Sequence, residues 1–151
     1  MKHVFKIKDE PTGERFKDRV VVKGYMSIPG IDYTEKFSPV MTDATTRIII
    51  TIYLFLKKHR PNERWCLWHI DYESAFLNAG LKREVFVGWP EGLVELDFMT
   101  QEEYDKTCAR LGTSMYGNVD AALLWFGELT DHMTDEDKMN MTRSLTDPCV
   151  I

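Results

Sequence analysis

Cysteine is scarce in this sequence and is not arranged for metal binding. The three cysteines, Cys66, Cys108 and Cys149, are widely spaced, and no two of them form a C-x-x-C pair. An odd number of isolated cysteines argues against both a zinc knuckle and a disulfide framework. The sequence therefore predicts three reduced thiols, as expected of an intracellular protein.

Long apolar stretches, low-complexity tracts and internal repeats are absent as well. The longest apolar run, residues 48–56, is broken by Thr51, and it is far shorter than the roughly 20 residues of a membrane-spanning helix. No secretory signal stands at the N-terminus. Because 44% of the residues are hydrophobic and 28% are charged, we expect one globular domain with no membrane partner.

Positive charge is concentrated in the first part of the chain, although the net charge is −5. Residues 1–60 carry 12 Lys and Arg against 7 Asp and Glu, whereas residues 61–151 carry 7 against 17. A basic front half is compatible with a surface that faces phosphate groups. Ordinary solvated charge would give the same pattern, so charge alone leaves both interpretations open.

Two local patterns predict a hairpin and a helix in this front half. Apolar and basic residues alternate over residues 4–8, and a second strand pattern over residues 16–22 follows the turn-forming residues 11–13. Thr42 or Asp43 can cap a helix that continues to about Lys58.

The remaining patterns are shorter, and they indicate strands and helices in alternation. Residues 66–70 predict a buried strand that ends at Asp71, and residues 121–133 predict an amphipathic helix. We also expect a strand at 83–87, helix or loop at 94–107, and the start of a strand at 147–151. This order favours an α+β or α/β domain.

Asp71 stands at the end of a predicted strand and before a turn of small residues. A carboxylate in that position is suited to a divalent metal. Spacing alone favours a different role, as the cap of a short helix beginning near Ser74.

Several sequence blocks, in the same order, resemble the reverse transcriptases of copia-type retrotransposons. The central block is DYESAFLN at residues 71–78. It is preceded by RVVVKGY at 19–25, PGIDY at 29–33 and FSPV at 37–40, and followed by MYGNVDAALLWF at 115–126 and DPC at 147–149.

The resemblance implies an α+β fold, the fingers and partial palm of a right-hand polymerase. Residues 1–151 would be a partial reverse transcriptase domain, with residues 1–60 fingers-like and residues 61–151 mostly palm-like. The activity implied is RNA-directed DNA synthesis by two-metal nucleotidyl transfer. Template–primer of RNA or DNA, deoxynucleotides and the remainder of the polyprotein are the implied partners. The implied location is intracellular, in cytoplasm, nucleus or a virus-like particle.

The resemblance also assigns roles to individual residues. Asp71 matches the first catalytic, metal-binding aspartate, with Mg²⁺ as the implied ion. Phe76 matches the aromatic residue beneath the incoming sugar. The other matching nucleotide-binding residues are Arg19 and Lys23, on the fingers side facing Asp71, and Tyr116 and Gly117 in the pocket loop.

Two departures from the family pattern affect the expected activity. No Asp-Asp pair occurs in the sequence, so we expect a fragment that stops before the second catalytic carboxylate block and is inactive in isolation. In the pocket loop, residues 119–123 stand where the family has K-Q-A-P-R, so a basic pair and an amide are lost. The acid at this place, Asp120, would repel a triphosphate unless it faces away. A non-catalytic nucleic-acid-binding remnant, or a non-functional relic, is the alternative.

Overall fold

A computed structural model describes all of residues 1–151. The chain forms two compact units, residues 1–37 with 74–128 and residues 38–73 with 129–151. Its helices and strands are β1 (Lys2–Glu10), β2 (Gly13–Val21), α1 (Asp43–His59), β3 (Phe86–Val87), α2 (Gln101–Lys106), β4 (Ala109–Arg110) and α3 (Ala121–Thr134). The architecture is a mixture of helices and small antiparallel sheets.

The predicted hairpin is confirmed in the first unit. β1 and β2 pair antiparallel over their whole length, from Lys2 opposite Val21 to Glu10 opposite Gly13. Gly13 has a φ of 123°, which only glycine adopts without strain, so this residue closes the turn. The result is a two-stranded ribbon with every side chain fixed to one face or the other.

The second sheet of this unit is smaller than the sequence suggested. Of the expected strand at residues 83–87, only Phe86 and Val87 form one, and they pair with β4. The acidic stretch at 94–107 contains α2, which begins at a capping box between Thr100 and Glu103. The Thr100 backbone amide and hydroxyl both donate hydrogen bonds to the Glu103 carboxylate. The hydrogen bond from the amide is the main reason that the pKa of Glu103 is lowered.

The packed centre of the first unit is small. Its buried apolar side chains are Ala79, Ala121 and Leu124, the last two from α3. The amide of the fully buried Ser114 donates to the carbonyl of Ala79 at 2.9 Å. Small residues therefore let two loops approach the start of α3, and the predicted helix at 121–133 is confirmed.

In the second unit, α1 confirms the predicted helix. The hydroxyl of Thr42 caps it by accepting a hydrogen bond from the amide of Thr45 at 3.2 Å. Lys57, Lys58 and His59 occupy the last turn, where they favour the negative end of the helix dipole. Caps and charges thus outweigh the low helix propensity of the β-branched residues inside the helix.

The chain end does not form the predicted strand; it folds back as a turn onto the start of α1. The hydroxyl of Thr45 donates to Asp147 Oδ2 at 2.6 Å, and the amide of Cys149 donates to Asp147 Oδ1 at 2.9 Å. These hydrogen bonds hold the pKa of Asp147 below its usual value, and the one from the Thr45 hydroxyl has the largest effect. The Asp-Pro-Cys block therefore anchors the helix in this unit.

The predicted buried strand at residues 66–70 is wrong. These residues are irregular, and Trp68 and Ile70 are 81% and 68% exposed. A strand is stable only when its backbone groups pair with a neighbour, and within residues 1–151 no strand pairs with this segment.

Exposed apolar side chains are common in both units. They include Phe5, Ile7 and Phe16 on the ribbon and Ile48, Ile52 and Phe55 on α1. Apolar patches of this extent mark interaction surfaces or cause aggregation. None of the helices combines the length and the apolar character that crossing a membrane requires.

We expect residues 1–151, expressed alone, to aggregate or dimerise, because exposed apolar surface and the unpaired segment at 66–70 both favour association. Light scattering and a thermal melt, with and without the downstream palm segment that the resemblance implies, measure this. Adding that segment should improve solubility and sharpen the transition. A monodisperse monomer with a sharp transition from residues 1–151 alone would contradict the expectation.

Candidate functional site

Arg19 and Tyr116, two predicted nucleotide-binding residues, are in direct contact in the first unit. Arg19 lies near the end of β2, and its guanidinium carbon stands 5.1 Å from the centre of the Tyr116 ring. A cation over an aromatic face is held by the ring quadrupole, with a contribution of roughly 0.5–1 kcal/mol at exposed sites. The contact fixes the direction of a side chain that would otherwise be free in solvent.

Phe76 completes an aromatic cluster with the same tyrosine. It belongs to a short 3₁₀ turn, Ala75–Asn78, which follows Ser74 in a left-handed conformation with a φ of 53°. The rings of Phe76 and Tyr116 meet edge to face, with centroids 5.7 Å apart and planes at 69°. This is a favoured aromatic geometry, so Tyr116 connects Arg19 to Phe76.

A backbone contact brings the tyrosine loop to the end of β2. The amide of Val22 donates to the carbonyl of Tyr116 at 2.8 Å. Gly117 follows with a φ of 90°, and a Cβ there would overlap the carbonyl oxygen of Val22. A Cβ on Gly24 would likewise overlap the carbonyl oxygen of Gly117. Glycine at both positions is therefore a steric requirement for this close approach.

Lys23, the residue directly before Gly24, borders an open cavity of about 590 Å³. Its neighbours in the cavity wall include Arg83, Asn118 and the amino group of Met1. The nearby Lys23 charge and burial both lower the pKa of that amino group, burial being the larger cause. Three carboxylates, those of Asp32, Glu84 and Glu91, line the same wall, so it carries charge of both signs.

Asp120, the acid that departs from the family pattern, is paired with a base. Its Oδ2 lies 3.3 Å from a guanidinium nitrogen of Arg83, and its side chain is only 14% exposed. An acid that is covered and paired presents little net charge to an anionic ligand. The expected repulsion of a phosphate by Asp120 is therefore reduced within this unit.

Comparison with known proteins identifies the family. The family model described as reverse transcriptase (RNA-dependent DNA polymerase) matches residues 1–145. The chain belongs to the reverse transcriptase family.

Curated relatives place this reverse transcriptase chain among copia-type transposons. It is 34% identical over 119 residues, 79% of the chain, to the retrovirus-related Pol polyprotein from transposon RE2 of Arabidopsis thaliana. It is 30% identical over 151 residues, 99% of the chain, to that from transposon TNT 1-94 of Nicotiana tabacum. The matches span 7% and 10% of the lengths of these two polyproteins. No solved structure matches the chain.

Asp71, the predicted catalytic and metal-binding residue, is exposed and lies on an irregular segment of the second unit. Reverse transcriptases use divalent metal ions, which bind through several oxygen ligands. Residues 1–151 contain no group of three His, Cys, Asp or Glu side chains placed to hold one. The residues present therefore do not make a complete metal site, and the role of Asp71 stays a prediction.

Gly24 and the pairing of Arg83 with Asp120 are not among the site features predicted from the sequence. Gly24 could have been found from its position directly after Lys23, where a loop leaves the strand. The pairing had a weaker signal, since an acid in place of a polar or basic family residue requires a compensating cation somewhere. The spacing of residues in the sequence could not identify Arg83 as the cation that pairs with Asp120.

Replacing Gly117 with alanine should destabilise the first unit by at least about 2 kcal/mol, because left-handed backbone strain and overlap with Val22 add together. The matched control is Gly112→Ala, since a Cβ at Gly112 meets open space; it should change stability by less than about 1 kcal/mol. Thermal melts of both variants, each fused to a soluble carrier, measure this. Equal melting temperatures would contradict the close approach.

Proposed function

We propose that residues 1–151 form the nucleotide-facing part of the RNA-directed DNA polymerase of a copia-type retrotransposon. The observation that carries the proposal is the meeting of Arg19, Phe76 and Tyr116, which come from three separate parts of the sequence. Each of them matches a nucleotide-binding position of the family. The polymerase activity, its nucleic-acid substrates and the rest of the polyprotein as partner belong to this proposal.

In the proposed site, the cations bind phosphate and the rings hold the sugar. Arg19 presents a planar fork that fits two phosphate oxygens, and Lys23 adds a flexible point charge. Tyr116 keeps Arg19 in place while its other contact orients Phe76. Gly117 lets this loop lie directly against the backbone of Val22, which keeps Tyr116 beside β2.

We assign Phe76 the selection of deoxynucleotides. A ring beneath the sugar would collide with a 2′-hydroxyl, so its size determines which nucleotide is accepted. The fixed edge-to-face contact with Tyr116 supports this role, because a ring held by a neighbour cannot move aside.

We further propose residues 1–60 as fingers and residues 61–151 as mostly palm. Asp71 is the proposed ligand of Mg²⁺, together with carboxylates supplied by other parts of the polyprotein. Its free, exposed position supports this, since a metal ligand has to remain available for the ion.

Replacing Phe76 with valine in the polymerase region of the polyprotein should weaken discrimination against ribonucleotides by roughly 10- to 200-fold, the range expected for removing a steric contact. Incorporation of deoxynucleotides should change much less. Competitive primer extension with matched nucleotide pairs gives the ratio. Phe98→Val, at an exposed ring, is the control and should leave the ratio unchanged; unchanged discrimination in the Phe76 variant would contradict the assignment.

Residues 1–151 alone should incorporate no deoxynucleotide above background in a primer-extension assay with Mg²⁺. One exposed carboxylate cannot hold the ions that phosphoryl transfer requires. In the longer polymerase region, Asp71→Asn should abolish incorporation, and Asp97→Asn, at an exposed aspartate of the first unit, should not. Extension by the isolated chain that depends on Asp71 would refute the expectation.

A further inference from the structure

One face of the ribbon of β1 and β2 carries large apolar side chains that are open to solvent. Side chains alternate along each strand, and directly opposite residues share a face. Phe5 and Phe16 are 77% and 76% exposed, and Ile7, directly opposite Phe16, is exposed as well. Apolar side chains grouped in this way indicate an interaction surface. This face, here called the apolar face, consists of His3, Phe5, Ile7, Asp9, Glu14, Phe16, Asp18 and Val20.

An open groove lies over the apolar side chains of this face. Its volume is about 240 Å³, and its lining includes Phe5, Ile7 and Phe16. A cavity of roughly 150 Å³ is enough to hold a benzene ring. The groove can therefore take an aromatic or branched aliphatic side chain from a partner.

The acids at the tip of the apolar face lack a cation. Asp9 stands directly opposite Glu14, both are exposed, and neither forms an ion pair. Asp18, the third acid of the face, lies 2.6 Å from His3. Like charges directly opposite each other destabilise a strand pair. The tip therefore favours a partner that brings cations next to an apolar side chain.

Helix α1 carries a surface of the matching kind. Ile48, Ile52 and Phe55 are exposed, and their spacing of four and three residues places them on one side of the helix. His59 lies one turn beyond Phe55 on the same side, and the two ring centroids are 4.4 Å apart. These four residues are here called the α1 stripe.

Cations flank the end of the α1 stripe. Lys58 and Arg60 are exposed, and at about 100° per residue they lie on either side of His59. Arg60 is 3.5 Å from Glu63, with both groups well exposed, and a pair of this kind contributes little and can exchange. An apolar run followed by positive charge in α1 thus corresponds to an apolar run followed by negative charge on the ribbon.

The two surfaces also agree in length. From Ile48 to Arg60 the helix rises about 18 Å, and from His3 to Asp9 the ribbon extends about 20 Å. When the helix is laid along the ribbon, its apolar side chains cover the groove and its cations reach the acidic tip.

We propose that the apolar face of the ribbon docks onto the α1 stripe of a second copy of this chain. The apolar side chains make the contact, and Lys58 and Arg60 of one copy neutralise Asp9 and Glu14 of the other. A lipid bilayer fits less well, because its anionic headgroups would meet the acidic tip. Arg19 projects from the opposite face of the ribbon, so the docking surface is separate from the candidate nucleotide site.

The size of the surface sets the expected affinity. A ribbon face about 30 Å long and 10 Å wide is below the standard interface size, so we expect reversible association with a dissociation constant in the micromolar range. Sedimentation velocity of residues 1–151, fused to a monomeric soluble carrier, measures this between about 1 and 100 µM. The mass should increase with concentration, and a strict monomer throughout would overturn the proposal.

Removing the rings of the apolar face tests the ribbon side of the contact. Phe5→Ser with Phe16→Ser should weaken self-association at least roughly tenfold, because apolar contact area is lost. The control is Phe37→Ser with Phe98→Ser, which removes two exposed rings elsewhere in the first unit and should change little. Equal losses in both double variants would show unspecific apolar association and overturn the assignment.

Exchanging the charges tests the pairing itself. Asp9→Lys with Glu14→Lys makes both surfaces basic, and Lys58→Glu with Arg60→Glu makes both surfaces acidic. Each variant alone should self-associate at least roughly tenfold more weakly than the parent, because like charges then meet. An equimolar mixture should associate about as tightly as the parent, since each surface meets its opposite. A mixture that stays monomeric, or undiminished self-association of either variant, would overturn the proposal.

A second charge variant on α1 controls for net charge. Arg47→Glu with Lys57→Glu makes the same change in charge at exposed positions on the other side of the helix. It should self-associate like the parent chain. A loss equal to that of the Lys58 and Arg60 variant would mean that net charge, rather than the α1 stripe, controls association, and the proposal would fall.

Discussion

Where β2 ends, the backbone of residues 22–24 touches the backbone of residues 116–117, and the candidate nucleotide site depends on that contact. The Val22 amide bonds to the Tyr116 carbonyl at 2.8 Å, and neither Gly24 nor Gly117 has space for a Cβ. Tyr116 is thereby fixed beside β2, so Arg19 can lie over its ring and Phe76 against its edge. The absence of a Cβ at Gly24 and at Gly117 therefore allows the three candidate side chains to meet.

Little apolar surface is buried in this chain. The buried apolar side chains are Ala79, Ala121 and Leu124, which are too small to stabilise much by themselves. Hydrogen bonds and helix caps connect other parts of the chain, and one of them is the hydrogen bond from Thr45 to Asp147 at the start of α1. The large apolar residues of the ribbon and of α1 remain exposed, and exposed apolar surface of this kind favours association with another surface.

The ribbon and the pocket loop differ in how their charged side chains are paired. In the ribbon, Lys6 lies opposite Lys17 and Lys8 lies opposite Arg15, and of these four cations Arg15 has a carboxylate, that of Glu10, at 3.5 Å. The remaining like-charge repulsion costs stability. In the loop, the acid that departs from the family pattern is covered and paired with Arg83. Unpaired cations and a neutralised acid both favour an anionic ligand near Tyr116.

The sequence by itself determined the hairpin, α1, α3 and the family. These depend on signals within a few residues, namely alternation, caps, helical periodicity and short motifs, and in each of these segments several such signals agree. Only the tertiary structure decided that residues 66–70 are not a strand, since a strand needs a partner that no local pattern supplies. It also decided the pairing of Arg83 with Asp120 and the contact of Arg19 with Tyr116. These are contacts between residues distant along the chain, and their geometry is set by how the loops pack rather than by the identity of nearby residues.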